Sequence, residues 1–161
     1  MPMGIEIERK FLLAHDGWRA KVSRSTRIAQ GYLCTEPDRT VRVRLKGTQG
    51  FLTIKGRNDG IARAEFEYPI PQADAEALLR LCPRVLDKTR HLVEIVPYVW
   101  EIDEFHGDNS GLVVAEIELP SVNAAFSQPD WLGDEVSHDT RYFNSNLSQH
   151  PFSRWNTESP R

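Results

Sequence analysis

The stretch Thr40-Val41-Arg42-Val43-Arg44-Leu45-Lys46, then Gly47-Thr48-Gln49-Gly50, then Phe51-Leu52-Thr53-Ile54-Lys55-Gly56-Arg57 decides the fold. Apolar and charged residues alternate strictly on both sides of a short glycine-bracketed turn. Period-two alternation predicts strands, and a tight turn between two such runs predicts an antiparallel hairpin. The polar phase is unusual, because it carries almost only cations.

The same pattern recurs outward in both directions. Gly4 to Leu13 sets Ile5 and Ile7 against Glu6, Glu8 and Lys10. Thr26 to Cys34 places Gln30 and Tyr32 in phase. After the turn Asn58-Asp59-Gly60, Ile61 to Tyr68 sets Ala64, Phe66 and Tyr68 against Arg63, Glu65 and Glu67. Arg84 to Val96 carries Lys88 and Arg90, Tyr98 to Phe105 carries Glu101 and Asp103, and Leu112 to Leu119 carries Glu116 and Glu118. Gln72 to Leu81 has helical spacing instead, with Ala75, Leu78, Leu79 and Cys82 as its apolar stripe and Pro83 as its stop. Beyond Pro120 the pattern turns irregular, with a short helix expected over Arg141 to Gln149. The reading is a mainly β (α+β) chain whose eight strands close into an antiparallel barrel, with helices packed on the outside. One domain is expected over residues 1–152, with 153–161 as a flexible C-terminal tail.

A sheet with one polar face in water is the plainer explanation for any single strand. Across seven strands it fails. Like charges at i and i+2 stand about 7 Å apart on one face and repel, whereas a surface built for solubility mixes signs. Paired carboxylates make sense around a divalent cation, which takes hard oxygen ligands. Paired Arg and Lys make sense around phosphate oxygens. Both on one continuous face predict a polar lumen for a metal and a polyphosphate, inside a barrel whose apolar face points outward.

Composition narrows the alternatives. The chain of 161 residues has a net charge of −3 and is 40% hydrophobic. There is no basic excess for a nucleic-acid backbone. No apolar run approaches the roughly 20 residues that span a bilayer. The start lacks a signal-peptide core, and Cys34 and Cys82 form no metal or disulfide pattern. A cytoplasmic protein without a membrane or nucleic-acid partner is expected, with an apolar exterior compatible with a homodimer. The five histidines form no ligand spacing, and neither a P-loop nor a GxSxG is present. Trp18 and Trp100 read as packing residues rather than platforms for a base.

Glu6-Ile7-Glu8-Arg9-Lys10 resembles the ExExK signature of the CYTH superfamily, the triphosphate tunnel metalloenzymes. Val41 to Leu45, Leu52 to Lys55, Glu65 to Glu67, Lys88 to Arg90, Trp100 to Asp103 and Ala115 to Leu119 agree in order, as in the short stand-alone bacterial members. The resemblance implies an eight-stranded tunnel acting on triphosphates with Mg²⁺ or Mn²⁺. It implies metal ligation by Glu6, Glu8, Glu116 and Glu118. It implies triphosphate binding by Lys10, Arg42, Arg44, Lys55, Lys88 and Arg90, with Arg57 in phase. Glu65, Glu67 and Asp103 are then expected to serve a second metal, orient water or hold the basic residues, and Lys10 to contact phosphate or take a proton. Hydrolysis of inorganic tripolyphosphate is the preferred expectation, since it needs only the charged lumen. A class IV-type adenylyl cyclase, a thiamine triphosphatase and a non-enzymatic polyphosphate- or nucleotide-binding module are the alternatives.

Overall fold

The computed structural model describes residues 4–155. In chain order the strands are β1 (Ile5–Leu13), β2 (Arg24–Glu36), β3 (Arg39–Lys46), β4 (Gln49–Gly56) and β5 (Ala62–Ile70). After helix α1 (Gln72–Leu81) come β6 (Val85–Ile95), β7 (Tyr98–Phe105), β8 (Val113–Glu118) and β9 (Leu132–Glu135), and finally helix α2 (Asn144–Gln149). The strand order is β5-β4-β3-β2-β6-β7-β8-β1-β9, and β5 also pairs with β1. Eight strands therefore close on themselves, all neighbours antiparallel, as the charge alternation predicts.

Closure turns on β1. One edge pairs Glu8 with Glu118 and Lys10 with Glu116 on β8. The other edge pairs Glu6 with Arg63 on β5, then Phe11 with Glu135 on β9. The ninth strand was not expected: its Leu-Gly-Asp-Glu sequence has too little alternation to signal a strand, and β1 templates it. The short helix expected over Arg141 to Gln149 is instead a 3-10 turn, Thr140–Tyr142, followed by α2.

Two apolar layers cover the outside. Ile7, Phe11, Val93, Trp100, Ile102, Ala115, Ile117 and Leu119 pack with Trp18 and Trp131. Trp18 comes from a 3-10 helix between β1 and β2, and both it and Trp100 are core residues, as expected. On the opposite side α1 lies on β3 and β4, joining Ala75 and Cys82 to Val43. It sits so close that a Cβ at Gly50 would fall 2.7 Å from the Ala75 Cβ. At roughly 25 cal/mol per Å² of apolar surface buried, these layers stabilise the barrel around the ionic part of its interior.

The lumen is not charged throughout. At one end the same inward rows continue as Leu12, Leu86, Phe105 and Val114, and there Tyr142, Leu147 and Trp155 pack on them with Tyr32. Packed structure thus extends to Trp155, into the stretch expected as a tail, and residues 156–161 lie outside the described residues. Among the described residues no helix is long and apolar enough to cross a membrane.

Candidate active site

The inward rows line a cavity of about 310 Å³. Its lining holds seven carboxylates, Glu6, Glu8, Glu65, Glu67, Glu101, Glu116 and Glu118, and seven cations, Lys10, Arg42, Arg44, Lys46, Lys55, Arg63 and Arg90. The strand order sorts them. Carboxylates stand on the contiguous arc β5-β1-β8-β7, and most cations on the facing arc β4-β3-β2-β6, with Lys10 and Arg63 as the exceptions.

On the acidic arc, one carboxylate oxygen from each of Glu8, Glu101 and Glu116 lies within 4.8 Å of the others. Burial, then Glu116 and Glu6, raises the Glu8 carboxyl well above its ordinary value. Burial, then Glu6, Glu65 and Glu101, pushes Glu118 up to about 7. These groups lack enough positive charge among themselves. Burial alone would raise Glu116, but Lys10 at 3.5 Å and Arg90 at 3.1 Å hold it well below the usual range. Glu6 accepts from Lys55 at 2.8 Å, and that lysine overcomes burial to lower its carboxyl.

On the basic arc the shortage is of negative charge. Arg42 and Arg44 are buried, and the Nε of each has no partner. Burial, then the neighbouring Arg42 and Arg90, brings the Arg44 guanidinium down to about 10. Their Nη2 atoms converge on Glu67 Oε2, at 3.5 Å from Arg42 and 3.3 Å from Arg44. Guanidiniums crowded together on a cavity wall are a place for an anion.

Three expected site residues do not line the cavity. Lys88 is fully buried beneath it and donates to Asp103 Oδ2 at 2.7 Å; burial brings its ammonium down to about 8 despite that partner. Asp103 is spent on holding cations: it also accepts from Arg90 Nε at 2.8 Å and Nη2 at 2.9 Å. Arg57 lies beyond the end of β4 at Gly56, where alternation no longer sets direction, and its exposed side chain pairs with Asp38. Glu6, Glu8, Lys10, Arg42, Arg44, Lys55, Glu65, Glu67, Arg90, Glu116 and Glu118 all reach the cavity, as does Tyr32.

Sequence reasoning gave no role to Lys46, Arg63 or Glu101, although all three are in phase. It missed Ser137, Phe143, Asn144 and Ser145, which the C-terminal segment brings to the cavity wall. No periodicity marks them. Lys10 places them, through its backbone N–H to Ser137 Oγ at 2.9 Å and its Nζ to the Tyr142 carbonyl at 2.9 Å.

Comparison with known proteins agrees with this geometry. The family profile described as CYTH domain matches residues 4–150. The inorganic triphosphatase of Acetivibrio thermocellus is 44% identical over 155 residues, 95% of this chain and 99% of that protein. The inorganic triphosphatase of Nitrosomonas europaea is 38% identical over 150 residues, 89% of this chain and 96% of that protein. The crystal structure of an inorganic triphosphatase superposes with a TM-score of 0.63 at 35% identity, covering 89% of this chain and 93% of that one.

Proposed function

The chain belongs to the CYTH domain family, and from that premise we propose that it is a divalent-metal-dependent inorganic triphosphatase, hydrolysing tripolyphosphate to orthophosphate and diphosphate. The observation that carries this reading is the sorting of the lumen: crowded guanidiniums on one arc face under-neutralised carboxylates on the other. A polyphosphate and a hard cation together satisfy both walls.

The donor set fits such a cation, since three carboxylate oxygens within 4.8 Å offer only hard ligands. Glu8, Glu101 and Glu116 would hold it, with Glu6 and Glu118 alongside, and Mg²⁺ or Mn²⁺ suits oxygen donors. When bound, such a metal neutralises charge developing on phosphate oxygens.

The remaining work falls to the chain itself. Arg42, Arg44, Lys46, Lys55, Arg63 and Arg90 bind the phosphates, and Lys10 contributes the ammonium donor left over from Tyr142 and Glu116. Phosphoryl transfer needs mostly positioning and electrostatics, so cations already fixed in a walled cavity lower the barrier without reorganising. Lys88 is removed from direct binding: with Asp103 it fixes Arg90 from below. A water oxygen bonds to the terminal phosphorus as the bridging P–O bond breaks, and diphosphate leaves. Glu67 and Asp103 accept hydrogen bonds from arginines and lysine, whereas Glu65 has only an ion pair with Lys55 at 3.4 Å, and Glu65 is the carboxylate that accepts the water's proton. Burial, then Glu6, raises the Glu65 carboxyl, in the direction a base needs.

The test is a substrate panel with Mg²⁺ or Mn²⁺: tripolyphosphate, ATP and thiamine triphosphate, with orthophosphate, pyrophosphate and cyclic AMP measured separately. Metal-dependent orthophosphate release, fastest from tripolyphosphate, supports the reading. Cyclic AMP with pyrophosphate, or binding without turnover, rejects it.

A further inference from the structure

Thr53 is fully buried in the middle of β4, with its hydroxyl turned into the barrel between two charged neighbours. It pairs across the strand with Arg42 on one side and with Glu67 on the other. Its Oγ1 accepts from Arg42 Nη2 at 3.2 Å and donates to Glu67 Oε2 at 3.0 Å. The same Glu67 oxygen accepts from Arg44 Nη2 at 3.3 Å. One hydroxyl therefore ties the carboxylate of β5 to the first guanidinium of β3, and the carboxylate reaches the second.

The consequence is directional. The Nη2 corners of both arginines are turned toward Glu67, while each Nε is buried with no protein partner. A guanidinium is a rigid fork, so fixing one corner fixes where the other donors point. Without the Thr53 hydroxyl, Glu67 loses the bond that fixes its Oε2 between the two arginines.

We propose that Thr53 is a positioning residue for phosphate recognition, holding Glu67 and Arg42 so that the guanidinium groups of Arg42 and Arg44 stand together on the cavity wall for one phosphate group. This rests on the triphosphatase reading and names a residue that does not itself touch the cavity. A hydroxyl that orients cations acts on substrate in the ground state and the transition state alike, so its loss raises KM more than it lowers kcat.

The experiment compares the parent with Thr53→Val and Thr53→Ser on tripolyphosphate. Valine keeps volume, β-branching and net charge, so it isolates the hydroxyl. The expected result is a KM raised roughly tenfold with kcat within about twofold, and recovery of most of that loss in Thr53→Ser. Thermal unfolding of all three identifies a purely structural role, which would lower the midpoint of Thr53→Val and leave KM of the folded fraction at the parent value. That outcome overturns the proposal. So does a Thr53→Ser variant no better than Thr53→Val. If Thr53→Val does not fold, Glu67→Gln, which weakens the same oxygen, must raise KM likewise, and a parent KM there overturns the proposal. A parent protein that releases no phosphate from tripolyphosphate overturns the triphosphatase reading instead, and this inference with it.

Discussion

Lys10 Nζ donates to the Tyr142 carbonyl oxygen at 2.9 Å and lies 3.5 Å from Glu116 Oε2. One ammonium group thus joins the acidic wall of the lumen to the chain segment that covers the barrel's apolar end. Replacing it is expected to disturb both. In Lys10→Met, amide hydrogen exchange should rise over residues 140–149 and phosphate release should be lost, with roughly 1.5–3 kcal/mol less stability by denaturant unfolding. Parent-like exchange in that segment would show that the Tyr142 contact does not anchor it.

Glu8→Gln removes one of three convergent carboxylates without changing size. Titration calorimetry with Mn²⁺ should show affinity weakened by about tenfold or more, and metal-dependent phosphate release should fall in step. Chelation of the parent protein should abolish release, and added Mn²⁺ should restore it.

Asp103→Asn leaves two buried cations, Lys88 and Arg90, without their shared carboxylate. Breaking a buried pair by removing one partner costs about 3–5 kcal/mol. Denaturant midpoints should show a loss of that order, and Lys88→Met in the Asp103→Asn background should recover part of it. A loss under about 1 kcal/mol would mean that water reaches the cluster.

Arg57→Ala should leave KM for tripolyphosphate within about twofold of the parent, because the side chain is exposed and pairs with Asp38 outside the lumen. A large rise in KM would put Arg57 back among the binding residues.

On the outer surface, hydrogen bonds from Arg19 and His91 hold the Glu104 carboxyl below its ordinary value. A carboxyl lowered in the folded state stabilises above its unfolded value and ceases to do so as pH falls through the folded one. Glu104→Gln should therefore be less stable than the parent by roughly 0.2–1 kcal/mol at neutral pH. The two proteins should converge as the medium becomes strongly acidic. Parallel pH–stability curves would remove Glu104 from the account.

What could be read from the sequence was whatever repeats locally. Arg42, Arg44 and Lys55 face inward because alternation within one strand fixes their side, and the α1 stripe of Ala75 and Leu78 follows from helical period. The sign that each strand carries could be read this way, but not the placing of those strands as two contiguous, facing arcs. That placing depends on α1 carrying the chain from β5 to a place beside β2, so that β5 is left to meet β1. Lys88 and Arg90 share a phase and are both buried, yet only Arg90 lines the cavity, because the inward rows turn apolar at Leu86 and Phe105. Ser137 and Tyr142 are held through bonds to Lys10, one of them to a backbone carbonyl, which leave no trace in residue type.

The pairing of β1 with both β5 and β8 bears on the order in which the molecule can assemble. The layer under α1 is built from neighbours in sequence, whereas β1 meets β8 only across about two thirds of the chain. Contacts of that separation form slowly, since the loop entropy is spent before they repay it. Without β1 the barrel is open between β5 and β8, and the lumen is open to water along that side. The cost of enclosing fourteen ionisable groups is therefore met in full only at the closing step, when the arcs of opposite sign first face one another. A chain truncated before β8 would keep its α1 layer and lose the barrel.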